Sequence, residues 1–425
     1  MNYVNGERHR LMLGLNHSSS VTITQAGWLP VLVWLTVAVS SIVFLEPAPH
    51  DILVLSLVFF LFPLGLKVPR EINVPLFFLM LFGAANLLAA LTATDTGAML
   101  RSLSIRIYVL FAWLLWASLV VADAPKFLRV MWNGYSFAAL VAVAWGVLQY
   151  FGFLPDTLGK SFDRVTGPFK DANVFAPFLV PVVFYYMDRM LRIRGPSLAF
   201  DACKFLFLVY GLFLGFSRGA WLNMSIGLMF FIIFSMISAR SLKHRLRLMI
   251  VVAAVGVAAV LTLYLAISYT EAGQLFVQRA ALVQEYDVAA GGRFDTQVKA
   301  LVEIGRNPIG IGPGMSAIVF DGVEPHNIYL HVAVEGGWIA ALSFYLFLII
   351  TLSRGFSRIN TTSALRNNLQ ITLAALMGVL VQSLFIDSTH WRHLWLLLAM
   401  TWAITVAIDR DADLTKSIDY VQNRR

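Results

Sequence analysis

The chain has 425 residues, 59% of them hydrophobic and only 13% charged. Soluble domains are nearer half apolar and a quarter charged, so this composition excludes an ordinary globular protein and indicates an integral membrane protein. The net charge of +8 and the single cysteine, Cys203, then fit basic loops facing the cytoplasm rather than nucleic-acid binding, and exclude an internal disulfide.

Residues 1–25 are polar, carry Arg8 and Arg10, and are followed by an apolar run with no small-residue cleavage signature. This start reads as a retained signal-anchor helix. Apolar runs fall near 28–45, 51–66, 72–92, 103–122, 128–152, 173–190, 203–216, 219–238, 248–268, 327–352, 368–386 and 392–408. They predict an all-α polytopic protein with about twelve transmembrane helices in a single membrane domain over 1–425. The runs 203–216 and 219–238 are split at Gly215-Phe216-Ser217-Arg218-Gly219, because an arginine costs less at an interface than at mid-membrane.

Most basic residues fall on the loops that are cytoplasmic when the N-terminus is inside, which places both termini in the cytoplasm. The outer face then carries two sizeable segments, 153–172 and 269–325. Within the second, Phe294, Val298, Leu301 and Ile304 recur at helical spacing and predict a short amphipathic helix at the surface over 294–305. Asn307-Pro308-Ile309-Gly310-Ile311-Gly312-Pro313-Gly314 follows as irregular backbone. Gly312-Pro313-Gly314 lacks the Lys-Ser/Thr of a nucleotide loop.

The chemistry concentrates on that outer face. Arg101, Arg106, Arg218, Arg293, Arg306 and Arg392 lie there against the positive-inside rule. Guanidinium groups hold phosphate in a fixed fork, which suits a phosphorylated lipid headgroup. The plainer alternative, snorkelling to bulk lipid phosphate, is preferred for Arg101, Arg106 and Arg392. Phosphate recognition is preferred for Arg218 and Arg293, which sit beside glycines. His326 follows Pro325 at the start of a helix, where the dipole field disfavours a protonated imidazole and leaves the neutral form that a general base needs. Helix capping explains such a histidine equally well. Asn327 could position an acceptor hydroxyl or a sugar. His331 points to another face and reads as structural. Asp387, with His390 and His393, could join His326 in a metal site, but the spacing favours Asp387 as a partner for an arginine or histidine.

Several motifs, taken in order, resemble the O-antigen ligase/polymerase superfamily of bacterial membrane glycosyltransferases. They are Gly167-Pro168-Phe169-Lys170-Asp171-Ala172-Asn173, Phe216-Ser217-Arg218-Gly219-Ala220-Trp221, Gly292-Arg293, the 307–314 segment, and His326-Asn327-Ile328-Tyr329-Leu330 with Glu335-Gly336-Gly337. The resemblance implies a GT-C-like membrane fold in the bacterial inner membrane with its active site facing the periplasm. It implies transfer of a glycan from undecaprenyl diphosphate to an acceptor, lipid A–core oligosaccharide in a ligase. Arg218 and Arg293 would bind the donor diphosphate and His326 would serve the acceptor hydroxyl. Asn173, Asn327, Arg306 and Asp387 are further candidate substrate-binding residues. No cofactor and no metal is expected, since arginines would replace a divalent ion. Chain length, the size of the 269–325 loop and the lack of a large C-terminal extension favour the ligase over a protein O-oligosaccharyltransferase; an O-antigen polymerase is the near alternative. A lipid-glycan flippase, the rival from another class, should show two-half symmetry, which the sequence lacks.

Overall fold

A backbone in lipid must satisfy its own hydrogen bonds, so apolar runs are forced into helices. The computed structural model describes residues 23–154, 164–239, 241–269 and 292–422. In chain order the helices are α1 (Leu29–Ala38), α2 (Pro49–Leu61), α3 (Asn73–Ala89), α4 (Thr96–Ala122), α5 (Ala124–Tyr150), α6 (Ala172–Arg192) and α7 (Pro196–Leu214). They continue with α8 (Arg218–Ser238), α9 (Leu242–Tyr269), α10 (Arg293–Arg306), α11 (Ser316–Val319), α12 (Ile328–Ser357), α13 (Arg366–Gln382) and α14 (Arg392–Gln422). The polar segment with Arg8 and Arg10, the loop residues Lys160 and Asp163, the stretch 270–291, and Arg424 and Arg425 lie outside the described residues.

The chain is a multi-pass, all-helical membrane protein. Among the described residues, 7 helices are long and apolar enough to cross a bilayer, so the expected count of about twelve is not carried through. Two of the runs show why. The helices at 28–45 and 51–66 are only 10 and 13 residues long, short of the roughly 20 needed to span.

The split at 215–217 has a local cause. Phe216 takes a left-handed backbone (φ 43°), and Ser217 Oγ accepts from the Ala220 N–H at 3.3 Å, capping α8. Packing pairs α8 with α13, α3 with α12, α4 with α14 and α6 with α7. Trp113, Trp116, Trp132 and Trp395 lie fully buried between them.

The amphipathic helix forms as α10, turned opposite to a soluble surface helix. Thr296 and Ala300 are its buried residues, and Ala300 packs with Phe320 and Val334. Phe294, Val298 and Leu301 are exposed. An outward apolar stripe of this kind suits a helix lying at a membrane interface.

Candidate active site

Asn327 starts α12. Its Oδ1 accepts from the N–H groups of Tyr329 (2.9 Å) and Leu330 (3.1 Å), a side-chain cap that satisfies two orphan donors. His326, one residue earlier, is held at φ 45°. A non-glycine residue adopts that left-handed conformation only at a cost of order 1 kcal/mol or more. The Ile328 N–H donates to Ser383 O at 3.0 Å, fixing this start against the end of α13. Gln382 at that end accepts from Asn223 of α8 at 2.9 Å. Ser217, before Arg218, donates to Asn173 Oδ1 at 2.9 Å, which also accepts from Arg164 at 2.8 Å. Asp171 caps α6 through the Asn173 N–H at 2.8 Å. Gln297, one turn past Arg293, donates to Leu384 O at 3.4 Å. The amino ends of α6, α8, α10 and α12 therefore gather around the carboxyl end of α13. Each end directs the partial positive charge of its helix dipole toward this rim, a setting that favours anions.

His326 and Asp387 line one cavity of ≈ 310 Å³ on this rim, together with Lys170, Asp171, Glu324 and Trp391. Burial and then the Arg293 guanidinium push the His326 imidazole below its ordinary pKa, while Asp387 and Asp171 pull it back up. Burial alone would raise the Asp387 carboxyl. His331, His390 and Thr389 outweigh it and hold the group well below the usual carboxylate range. His331 Nε2 and His390 Nδ1 each lie 3.8 Å from Asp387 Oδ2, and the Thr389 N–H donates to Oδ1 at 3.0 Å.

Behind the cavity wall is a buried network centred on Glu335. Its carboxylate pairs with Arg106, which also donates to Asn86. It accepts from the N–H groups of Gly314 (2.8 Å) and Ser316 (3.1 Å) and lies 3.3 Å from His331 Nε2. Backbone bonds run alongside: Ile311 N–H to Val334 O at 2.9 Å, Gly312 N–H to Glu335 O at 3.1 Å, and Trp338 N–H to Pro308 O at 2.9 Å. Gly310 and Gly337 both take positive φ, and a Cβ at either would come within 2.4 Å and 2.3 Å of the facing backbone. The 307–314 segment and Glu335-Gly336-Gly337 are thus the two halves of one latch.

The structure corrects the reading of two of the three arginines assigned to bulk lipid. Arg106 does not snorkel to lipid; it is 3% exposed and paired with Glu335. Arg392 is held by both oxygens of Asp51 at 2.6 Å. Arg101 alone of the three is exposed. His331, read as structural, joins Glu335 to Asp387.

Of the candidate site residues, the structure brings His326 and Asp387 to the cavity and Arg293 within electrostatic reach of the imidazole. Arg218 and Asn173 stand on the adjoining rim, tied through Ser217. The Asn327 oxygen is occupied by its cap. Arg306 is not brought in: it ends α10, roughly 20 Å from Arg293 along a helix rising 1.5 Å per residue. A metal set of Asp387, His326, His390 and His393 does not assemble among the described residues. Glu324, His331 and Asp387 instead bring ligand atoms within 4.8 Å of one another, where Arg106, 3.4 Å from His331, already supplies positive charge. From the sequence, Glu335 falls in the motif that follows His326 but is given no role. The available signal was a carboxylate inside an apolar helix, one turn after His331.

Residues 204–345 match the family described as O-antigen ligase. The matched stretch contains Arg218, Arg293, His326 and Glu335, and leaves out Arg106, Asn173 and Asp387. No curated protein matches the chain.

Proposed function

We propose that this chain, whose residues 204–345 form an O-antigen ligase family domain, transfers a glycan from undecaprenyl diphosphate to lipid A–core oligosaccharide. The reaction takes place on the periplasmic face of the bacterial inner membrane, with both termini in the cytoplasm. The observation that carries the reading is His326 on a cavity wall beside Arg293, within a rim of four helix amino ends that also bears Arg218. This arrangement pairs a proton acceptor with an anion site. His326 takes the proton of the acceptor hydroxyl as its oxygen bonds to the anomeric carbon. On the opposite side the bond from that carbon to the diphosphate oxygen breaks, so the configuration inverts. Charge grows on the departing diphosphate, and Arg218 and Arg293 with the positive helix ends stabilise it. They fill the role that a divalent ion plays elsewhere, and the transfer is metal-independent. Asn173 and Asp387 hold the rim and the cavity wall.

The test is purified protein reconstituted with lipid-linked glycan and offered lipid A–core, a second lipid-linked repeat, or a peptide. Glycan appearing on lipid A–core supports the ligase. Glycan appearing on the second repeat assigns a polymerase, and glycan on the peptide a protein O-oligosaccharyltransferase.

A further inference from the structure

We propose that the buried chain Arg106–Glu335–His331–Asp387 is a positioning device for His326. It fixes the Asp387 carboxylate in the cavity wall, where it stabilises the imidazolium that forms when His326 accepts a proton. The inference rests on His326 acting as the base of glycan transfer.

The four groups come from α4, from α12 (two of them) and from the 383–391 segment. Their side chains are 3%, 1%, 8% and 11% exposed in that order. Burying charges costs several kcal/mol per ion before pairing, and apolar residues of similar volume often stabilise such a site as well or better. Packing alone is therefore a weak reason for this network. Its layout supplies a stronger one. Arg106 and the N–H groups of Gly314 and Ser316 lock Glu335. The His331 Nε2 lies between two carboxylates, 3.3 Å from Glu335 Oε2 and 3.8 Å from Asp387 Oδ2, so the locked Glu335 holds the ring nitrogen that faces Asp387. Thr389 holds the same carboxylate through its N–H and its hydroxyl. The chain thus begins in the interior and ends at a carboxylate on the wall of the cavity that also contains His326.

The groups around His326 give that carboxylate its role. Arg293 faces the imidazole from α10, Asp171 from the start of α6, and His331 from α12. Asp387 and His390 come from the 383–391 segment, and Glu324 lies two residues upstream. On the remaining walls Lys170 is paired with Glu46, and Arg392 with Asp51. Burial and Arg293 alone would leave His326 a weak base. When the acceptor O–H bond breaks, its proton passes to the imidazole and a positive charge appears there. Asp387 is the fixed negative group that stabilises this charge more in the transition state than before it.

The test is the pH profile of glycan transfer by the full-length reconstituted protein, comparing wild type, Asp387→Asn, Asp387→Glu and His326→Ala. The neutral imidazole is the active form, so activity rises as pH rises through the His326 pKa. Loss of the Asp387 charge lowers that pKa. The acid limb of the Asp387→Asn profile is expected to move to lower pH by about half a unit to one unit. Plateau kcat falls about tenfold, the KM for the lipid-linked donor is unchanged, and Asp387→Glu restores most of the limb position. A merely structural role would lower the amount of folded protein and leave the limb in place. An Asp387→Asn limb that superimposes on wild type, with His326→Ala inactive, overturns the positioning role and leaves the function standing. Full activity of His326→Ala overturns both. Should Asp387→Asn fail to fold, Thr389→Val gives the same test. It removes only the hydroxyl that steadies the carboxylate and should move the limb in the same direction by less.

Discussion

At the end of α12 that starts with Ile328, the ionisable groups are buried and joined in one network. At the end that finishes with Ser357, they are partly or fully exposed and form small separate pairings. There Arg354 and Arg358 share Asp409 at 2.7 and 2.6 Å, with side chains 31%, 44% and 29% exposed. Arg410 similarly meets Glu71 at 2.7 Å. Exposed pairs of this kind are screened by solvent and contribute about 1 kcal/mol or less. A buried pair is different: removing one partner strands the other charge, at about 3–5 kcal/mol. The end that bears the cavity has thus taken on the costlier arrangement, and it is the end where His326, Arg218 and Arg293 stand.

The comparison can be broken in graded steps. The largest effect is expected from His326→Ala, with transfer reduced about 10²- to 10⁴-fold and thermal unfolding in detergent unchanged. Next comes Glu335→Gln, expected to lower stability by about 3–5 kcal/mol as read by thermal unfolding. A loss no greater than that of Asp409→Asn would erase the distinction between the two ends. Arg218→Lys and Arg293→Lys keep the charge and lose the fork, so each should lower kcat/KM for the lipid-linked donor about tenfold or more. Full activity in the lysine variants would show that bidentate recognition is not required. Asp409→Asn should cost about 1 kcal/mol or less and leave transfer unchanged. The smallest effect expected is from excess EDTA, which should leave the rate unaltered; a loss restored by a divalent ion would turn attention to Glu324, His331 and Asp387.

Much of the fold is legible in the sequence because lipid leaves an apolar run no choice but helix. The Gly215–Gly219 break, the helix start at Asn327 and the irregular 307–314 segment are legible for a related reason. Glycine, proline and capping residues act locally. Long-range pairing is not legible in that way. Arg106 and Glu335 are 229 residues apart, and nothing in either local pattern names the other. The partner of the glycine-rich segment was hidden for the same reason: Glu335-Gly336-Gly337 reads as the middle of an apolar helix until Gly337 is seen at φ 75°. Arg293 and Arg306 flank the same amphipathic segment in the sequence, yet a helix of 14 residues carries its two ends apart. His331 reads as structural because it points to another face than His326, although the neighbour that matters, Glu335, lies four residues further on.

The most direct measurement follows both covalent transfer and lipid movement in proteoliposomes that hold purified protein, lipid-linked glycan and lipid A–core. Wild type should build the glycan onto lipid A–core and release undecaprenyl diphosphate in equal amount, and His326→Ala should do neither. Lipid-linked glycan crossing the bilayer intact, with no glycan joined to any acceptor, would contradict the account and assign a flippase.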